Sequence, residues 1–185
     1  MTDDRTLSLS TVSATINAPI EKVDIADWLF HLPDAEYQRC SPAHIAAGTT
    51  ATDDGRPMSI NVETIGDAFV VQHYVGEVRK RHFCRMVSIS DSISAAGRTK
   101  LQVIWELSVR RIDDQTCEFT NHIHSSAIDQ TLAFLDEHGI PFEQARAARQ
   151  QASHAHNQEE TPKFAKSIER RALGIPTGST NGEEQ

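Results

Sequence analysis

Two histidines, His122 and His124, form the most chemically suggestive motif in the sequence. Residues two apart on a strand share a face, so both imidazoles could bind one metal ion. Antiparallel pairing across the turn at residues 113–115 would place Glu106 opposite His122, which gives two histidines and one carboxylate. If they faced a cavity, His122 and Glu106 could instead act as a catalytic acid/base pair. Both histidines fall on polar positions of their strand, however, so we expect an ordinary pair on a solvent-facing sheet, with no metal and no cofactor.

Polar side chains that interrupt the apolar faces of other strands are a second set of candidates. Arg85, Tyr74, Gln72 and Asn121 all share strand parity with apolar neighbours, which predicts that they point into the interior. A buried polar group needs a partner or a ligand. An inward Arg85 could bind a carboxylate or an enolate oxygen, with Tyr74 and Asn121 as further catalytic groups. Alternatively, Arg85 reaches the rim of the sheet and Asn121 bonds only to backbone.

Apolar residues on the same predicted inward faces would contact a ligand. The strand near residues 99–112 alternates apolar odd positions with polar even ones, which places Trp105 inside. The helix after residue 126 has apolar residues at helical spacing. The candidate ligand-contacting residues are Gln72, Val103, Trp105, Leu107, Phe119, Leu132 and Leu135.

The histidines of the C-terminal helical stretch have a plainer interpretation. His154 and His156 lie two residues apart, so they do not share a helix face, and we expect both to be solvated. His156 lies four residues before Glu160, which is the spacing of an ordinary surface pair. The basic run at residues 79–82 is best explained as a solvated hairpin end.

The elements that must position these residues follow from the period of the apolar residues. A strand over residues 12–16 ends at Pro19, which can open a helix over Ile20–Phe30, and a second short helix covers Pro33 to Arg39. Turn residues then separate six strands in a meander. These strands lie near residues 43–52, 58–65, 68–79, 82–93, 99–112 and 116–127.

The sequence becomes helical again after Ser126 and is interrupted at residues 139–141, where Gly139 can end one helix and Pro141 can begin another. The second helical stretch continues towards Leu173, with a break expected near Pro162. We therefore expect an α+β domain with a seven-stranded curved antiparallel sheet, two small N-terminal helices and a long, interrupted C-terminal helix that covers one sheet face.

Composition limits the classes of function. The chain has 185 residues with 38% hydrophobic residues, enough for a packed core in one domain. Its net charge of −8 argues against non-specific nucleic-acid binding and against attraction to anionic membranes. The sequence predicts neither a secretory signal nor a membrane span, and the three scattered cysteines favour a reducing cytoplasm. We expect a flexible N-terminus over 1–6, one domain over 7–173 with a helical extension at 141–173, and a disordered tail over 174–185.

The order of elements, and the segment SATINAPIEKV from Ser13 to Val23, resembles the helix-grip fold of the SRPBCC superfamily. This superfamily includes START domains, birch-pollen-allergen-like proteins and bacterial polyketide cyclases, and a strand there runs into Ala-Pro-x-Glu-x-Val and the first helix. The resemblance covers about residues 8–155. It implies a cavity between the sheet and the long helix that holds an apolar small molecule. The helical extension of this chain departs from the family pattern and could gate the cavity or form a homodimer contact.

The resemblance leaves three functions open. The first is a metal-free cyclase/dehydratase-like enzyme that positions an apolar or aromatic molecule beside a few polar groups. The second is a carrier or sensor that binds a hydrophobic ligand without chemistry. The third, ranked last, is a protein-interaction domain like the helix-grip proteins that activate a chaperone. In each case we expect a cytoplasmic protein without nucleic-acid or membrane partners.

Overall fold

A computed structural model describes residues 5–176 of the chain. The chain begins with β1, followed by a 3₁₀ turn at Ile20–Lys22 and two short helices, and then six strands lead to two C-terminal helices. The strands are β1 (Thr6–Ile16), β2 (His44–Ala51), β3 (Pro57–Ile65), β4 (Ala68–Lys80), β5 (Phe83–Ser94), β6 (Gly97–Arg111) and β7 (Cys117–Ala127). The helices are α1 (Ile25–Phe30), α2 (Asp34–Cys40), α3 (Asp129–Glu137) and α4 (Phe142–Ala172).

Within the described residues, the strands form one antiparallel sheet in the order β1-β7-β6-β5-β4-β3-β2. Strands β2 to β7 follow one another as hairpins, and β1 closes the order by pairing with β7. Gly66 and Gly97 adopt positive φ angles of 65° and 131° where hairpins turn, a region that residues with a Cβ rarely enter. The predicted seven-stranded meander with a terminal helix is confirmed.

The hydrophobic core lies between the inner face of the sheet and the helices. Trp28 of α1, Met86 of β5, Phe119 of β7 and Phe164 of α4 are each at most 1% exposed. Burial of side chains of this size stabilises the fold by about 1.5–3 kcal/mol each. Helix α4 packs along β1 and reaches across to β7 and β3, so it forms the roof over the inner face of the sheet.

Two local expectations about the helices are wrong. The helix predicted over Ile20–Phe30 is divided, because Asp24 is extended and its carboxylate accepts from Asp27 N at 2.9 Å, which starts α1 anew. Helix α4 does not break at Pro162. Pro162 removes one N–H from the helix, but Thr161 and Phe164 on either side are buried against the sheet and hold the helix in line.

The expected domain boundaries are only partly open to comparison. Thr6 already belongs to β1 and pairs with Ser126, so the folded part begins before residue 7. Residues 1–4 and 177–185 lie outside the described residues, so the flexible N-terminus and the disordered tail stay predictions there. Over residues 5–176, no helix has both the length and the apolar character needed to cross a membrane.

Candidate functional site

Four titratable side chains from β2, β3 and α4 meet on the buried side of α4. We call His44, Glu63, His156 and Glu160 the His–Glu cluster. His44 Nε2 lies 3.1 Å from Glu160 Oε2 and 3.4 Å from Glu63 Oε2, and His156 Nε2 lies 3.1 Å from Glu63 Oε2 and 3.4 Å from Glu160 Oε2. Each side chain is at most 7% exposed, so the four groups interact with little screening by water.

Local structure explains how the chain brings the cluster together. His156 and Glu160 are one helical turn apart, so they share a face of α4. Glu63 lies on the inward side of β3, in line with the buried Ser59 and Asn61. His44 begins β2 directly opposite Glu63 in the antiparallel register, which fixes both residues on the same side of the sheet edge.

Other buried side chains hold the cluster in place. Tyr37 makes three contacts with the cluster. Its backbone oxygen accepts from His44 Nδ1 at 2.8 Å, and its hydroxyl donates to Glu63 Oε2 at 2.9 Å. The Tyr37 ring stacks on the His44 imidazole, with ring centroids 3.9 Å apart. On the opposite side, Asn121 Nδ2 donates to Glu160 Oε1 at 3.1 Å, and Trp105 Nε1 donates to Asn121 Oδ1 at 2.8 Å. Both carboxylates are therefore oriented by dedicated donors.

Burial and close charges shift the pKa values of the site. Burial alone would lower the pKa of His156, but the charge of Glu160 and hydrogen bonds with Glu160 and Glu63 outweigh it and raise this pKa. Burial alone would raise the pKa of Glu160, but the charge of His156 and hydrogen bonds with both histidines lower it. Burial, together with the nearby charges of Glu63 and Glu160, raises the pKa of Tyr37 and of Tyr74. Such a set can exchange protons or bind a cation.

A small chamber adjoins the cluster. Its volume is about 20 Å³, room for about one water molecule rather than an organic ligand. Glu63, His156 and Glu160 form one wall. The predicted cavity residues Gln72, Tyr74, Val103 and Trp105 also line the chamber, together with Asn61, Ile65, Ile123, Arg149, Ser153 and Phe164.

A larger groove lies next to this chamber, between the ends of the strands and helices α3 and α4. Its volume of about 790 Å³ suits a small organic ligand. We call it the α3–α4 groove. Most of its lining residues are apolar: Leu7, Ile65, Ala68, Ala95, Ala96, Leu101, Phe134, Leu135, Ile140, Ala145, Ala148, Ala152 and Ala155.

Arg149 of α4 lies between the two spaces. It lines both the chamber and the groove, as Ile65 does. Among the described residues, Arg149 Nε is the buried side-chain nitrogen without a hydrogen-bond partner, although the residue as a whole is only half-buried. Burial lowers the pKa of Arg149, and the charge of Glu63 opposes that shift only in part. A guanidinium whose Nε has no partner, at an apolar groove, is suited to an anionic or carbonyl oxygen of a ligand.

The expectation that Arg85 points inward is wrong. Its side chain lies on the outer face of the sheet, where it pairs with Glu77 at 3.0 Å and with Glu106. The inner face of β5 carries Cys84, Met86, Ser88 and Ser90, so apolar parity misidentified the buried side of this strand.

The alternative acid/base pair of His122 and Glu106 does not lie in a cavity, and neither does the metal triad that adds His124. Glu106 and His122 are cross-strand neighbours on the outer face, as the polar parity indicated. His122 Nδ1 lies 2.7 Å from Thr11 Oγ1, and His124 Nε2 lies 3.1 Å from Thr6 Oγ1. Glu106, engaged by Arg85, is not part of a metal-binding group with either histidine.

The other candidate residues lie inside the protein. Gln72, Tyr74, Asn121 and Trp105 are each at most 4% exposed, and their roles in binding or catalysis stay predictions. The remaining residues divide between the chamber, the groove and the core: Val103 lines the chamber, Leu135 lines the groove, Leu107 and Phe119 are buried in the core, and Leu132 packs against it.

Sequence reasoning missed the main residues of the site. His44, Glu63 and Arg149 carry no motif, and the interpretation of His156 and Glu160 as a solvated pair is wrong. One signal was available: residues 156, 160, 164 and 168 form a four-residue series, and the last two are Phe164 and Ile168. Extending that apolar face towards the N-terminus would have placed the histidine and the carboxylate on the buried side of α4.

Comparisons with known proteins agree on the architecture. No family model and no curated protein matches the chain. Among solved structures, the Zhui aromatase/cyclase from Streptomyces sp. R1128 superimposes with a TM-score of 0.63 at 11% identity over 88% of this chain and 94% of its own. TTHA0849 from Thermus thermophilus gives 0.54 at 13% identity, and a START superfamily protein from Mycobacterium smegmatis gives 0.52 at 12%; each match covers 91% of this chain and 99% of the other.

These identities are too low to transfer an activity, and what they share with this chain is the curved sheet gripping a C-terminal helix. The chain therefore has the helix-grip fold of SRPBCC/START-like proteins.

Proposed function

We propose that the protein binds an apolar small molecule with one anionic or carbonyl oxygen, and that this ligand occupies the α3–α4 groove. The observation that carries the proposal is the conjunction of an apolar groove of about 790 Å³ with a buried, unpartnered Arg149 Nε at its inner end. The apolar body of the ligand would be removed from water along α3 and α4. Its oxygen would accept from Arg149 and supply the missing hydrogen bond.

The groove favours binding without chemistry, as in a carrier or sensor. The titratable groups of the His–Glu cluster lie behind Arg149 and Ile65, and the chamber beside them is too small for a substrate. A ligand that fills the groove therefore contacts the guanidinium but none of the four side chains of the His–Glu cluster.

A cyclase/dehydratase-like enzyme is the second candidate, because perturbed titratable groups often mark catalytic sites and those of the chamber adjoin the groove. Two of the structural neighbours, Zhui and the di-domain BexL, are aromatase/cyclases. In this alternative Tyr74 and Gln72 would contact a substrate that displaces Arg149 and enters the chamber.

The first experiment uses a fluorescent carboxylic acid, 1-pyrenebutyric acid, and its uncharged methyl ester. Both should bind the wild-type protein. Ala148→Trp fills the groove and should abolish binding of both probes, whereas Ala147→Trp, at an exposed position that does not line the groove, should leave it unchanged.

Arg149→Gln tests the polar end of the groove. Because hydrogen bonds to charged groups contribute about 1.5–3 kcal/mol, this variant should weaken binding of the acid about tenfold or more and that of the ester much less. Binding of the acid that is unchanged in Arg149→Gln, or binding of either probe that survives Ala148→Trp, would contradict the proposal. Native mass spectrometry of the purified protein, with extraction of any bound compound, then identifies the natural ligand class.

A further inference from the structure

We propose that the His–Glu cluster binds one divalent first-row transition-metal ion, with zinc as the test ion, through His44 Nε2, His156 Nε2, Glu63 Oε2 and Glu160 Oε2. This inference does not depend on the proposed ligand of the α3–α4 groove. The sequence-based expectation of no metal considered a different group, His122, His124 and Glu106.

The spacing of the four atoms fits a coordination sphere. The four nitrogen–oxygen separations are 3.1–3.4 Å, and all ligand atoms lie within 4.8 Å of one another. Zinc bonds to histidine nitrogen and carboxylate oxygen are about 2.0–2.1 Å long, so neighbouring ligand atoms of a tetrahedral site are about 3.3 Å apart. An ion fits between them with small side-chain adjustments.

The tautomer of His44 favours a cation in the same place. Its Nδ1 must donate, because its partner is the backbone oxygen of Tyr37, which can only accept. In the neutral imidazole the lone pair is then on Nε2, and this atom faces oxygens of Glu160 and Glu63, which are also acceptors. A metal ion at the centre satisfies all three lone pairs at once.

The surroundings supply the outer contacts that metal ligands usually have. A ligating histidine commonly donates its other N–H to a carbonyl, as His44 does, and ligating carboxylates accept further hydrogen bonds. Tyr37 supplies one to Glu63, and Asn121 supplies one to Glu160. The two buried carboxylates balance the charge of a dication.

The donor set selects the class of ion. Two imidazoles and two carboxylates suit zinc and the neighbouring transition metals, whereas calcium and magnesium prefer sites made of oxygen alone. The small chamber borders Glu63, His156 and Glu160, so a water on the ion would have room beside Gln72 and Tyr74.

The test begins with purified full-length protein that has been stripped with a chelator and dialysed. Zinc is added, the protein is passed over a desalting column, and the retained metal is measured by mass spectrometry. We expect one zinc per chain for the wild type, and less than about a fifth of that for His156→Gln and Glu160→Gln. The controls are His122→Gln on the outer sheet face and exposed Glu159→Gln beside the cluster; both should keep one zinc.

A second measurement guards against variants that fail to fold. Tyr37→Phe keeps all four ligands and removes only the hydrogen bond to Glu63, so it should bind cobalt(II) with about 10- to 100-fold lower affinity than wild type, followed by visible absorption. A wild-type protein that retains no zinc overturns the proposal and leaves the cluster as hydrogen-bonded histidine–carboxylate pairs. Full zinc retention by folded His156→Gln or Glu160→Gln overturns it as well.

Discussion

At the scale of single residues, the buried polar side chains beneath α4 satisfy one another in chains of hydrogen bonds. Asn121 shows this dependence: its oxygen accepts from Trp105, and its amide nitrogen donates to Glu160 and to Thr161. Each partner is buried, so none can form a replacement hydrogen bond with water when the Asn121 amide is removed. The stability of the inner face therefore depends on polar as well as apolar contacts.

Asn121→Leu tests this dependence. The change keeps the approximate shape of the side chain but leaves the Trp105 N–H and a Glu160 oxygen without partners, so we expect a loss of about 2–4 kcal/mol in the free energy of unfolding. Urea denaturation measures it. Thr120→Val, on the neighbouring outer face and bonded to Ser13, is the control and should cost less than about 1 kcal/mol. Equal losses for the two variants would show that the network contributes little.

The three cysteines allow a second prediction at this scale. Burial raises the pKa of Cys40 to about 12 and that of Cys84 to about 11, and it raises the pKa of Cys117 too. Thiolate is the reactive form, so the buried thiols should react much more slowly at pH 8 than an exposed cysteine. Ellman's reagent should react slowly with the thiols of the native protein. In guanidinium, which unfolds the chain, it should react rapidly with all three thiols. Rapid modification of one thiol in the native state would show local opening around that residue.

At the scale of elements, an ion-pair group joins α2 to α4. Glu36 of α2 is buried, Arg39 donates to its Oε2 at 2.7 Å, and Arg170 of α4 donates to its other oxygen. Burial alone would raise the pKa of Glu36, but hydrogen bonds from Arg39, Ser167 and Arg170 outweigh it and lower this pKa below its ordinary value of 4.5. A carboxyl whose pKa is lower in the folded state stabilises the fold above its unfolded pKa, and this contribution is lost as pH falls through the folded pKa.

Glu36→Gln should therefore destabilise the protein at pH 7 and have a smaller effect near pH 3. The reason is that the Glu36 carboxyl of the unfolded chain takes up a proton at the lower pH, so the contribution of its lowered folded-state pKa to stability is reduced. Chemical denaturation of both proteins at the two pH values measures the difference. Ala35→Gln, an exposed substitution on the same helix, should give a difference that does not change with pH. A constant penalty for Glu36→Gln would mean that shape, not charge, matters at this position.

The strands show how far sequence patterns reach at this scale. Alternation in β6 and β7 placed Trp105 and Asn121 inside, because the inner face of those strands is mostly apolar. The inner face of β3 instead carries the polar residues Ser59, Asn61 and Glu63, whereas its outer face carries the apolar residues Ile60 and Val62. Assigning the apolar side of a strand to the interior gives the wrong face for β3, and it gave the wrong face for Arg85 on β5.

The candidate site could not be predicted from the sequence, because it is formed by contacts between segments that are far apart in the chain. The order of elements was predictable, because turn residues and apolar periods are encoded over short stretches. The His–Glu cluster joins residues 44, 63, 156 and 160, which meet only after α4 has folded back over the sheet. Single-sequence periodicity carries no information on which polar residues of distant elements will face one another.

At the scale of the whole molecule, the separation of the groove from the chamber distinguishes the two candidate functions. A carrier needs only the α3–α4 groove, whereas a cyclase-like enzyme needs its substrate to pass Arg149 and reach the chamber. Trp105 lines the chamber and not the groove, so it can report which space a ligand enters. Trp28, the other tryptophan, bonds to Ser167 away from both spaces and can be replaced by Phe.

In Trp28→Phe protein, the fluorescence of Trp105 should be poorly quenched by acrylamide, because this residue is only 4% exposed. Decanoate absorbs no exciting light and has one carboxylate on an apolar chain. Bound in the groove, it should leave the emission maximum and the quenching constant of Trp105 unchanged, while it competes with 1-pyrenebutyric acid. A shift in Trp105 emission on decanoate binding would instead favour a ligand in the chamber beside Tyr74 and the His–Glu cluster. That result would favour the enzyme, because a ligand within reach of His156 and Glu160 can exchange protons with them.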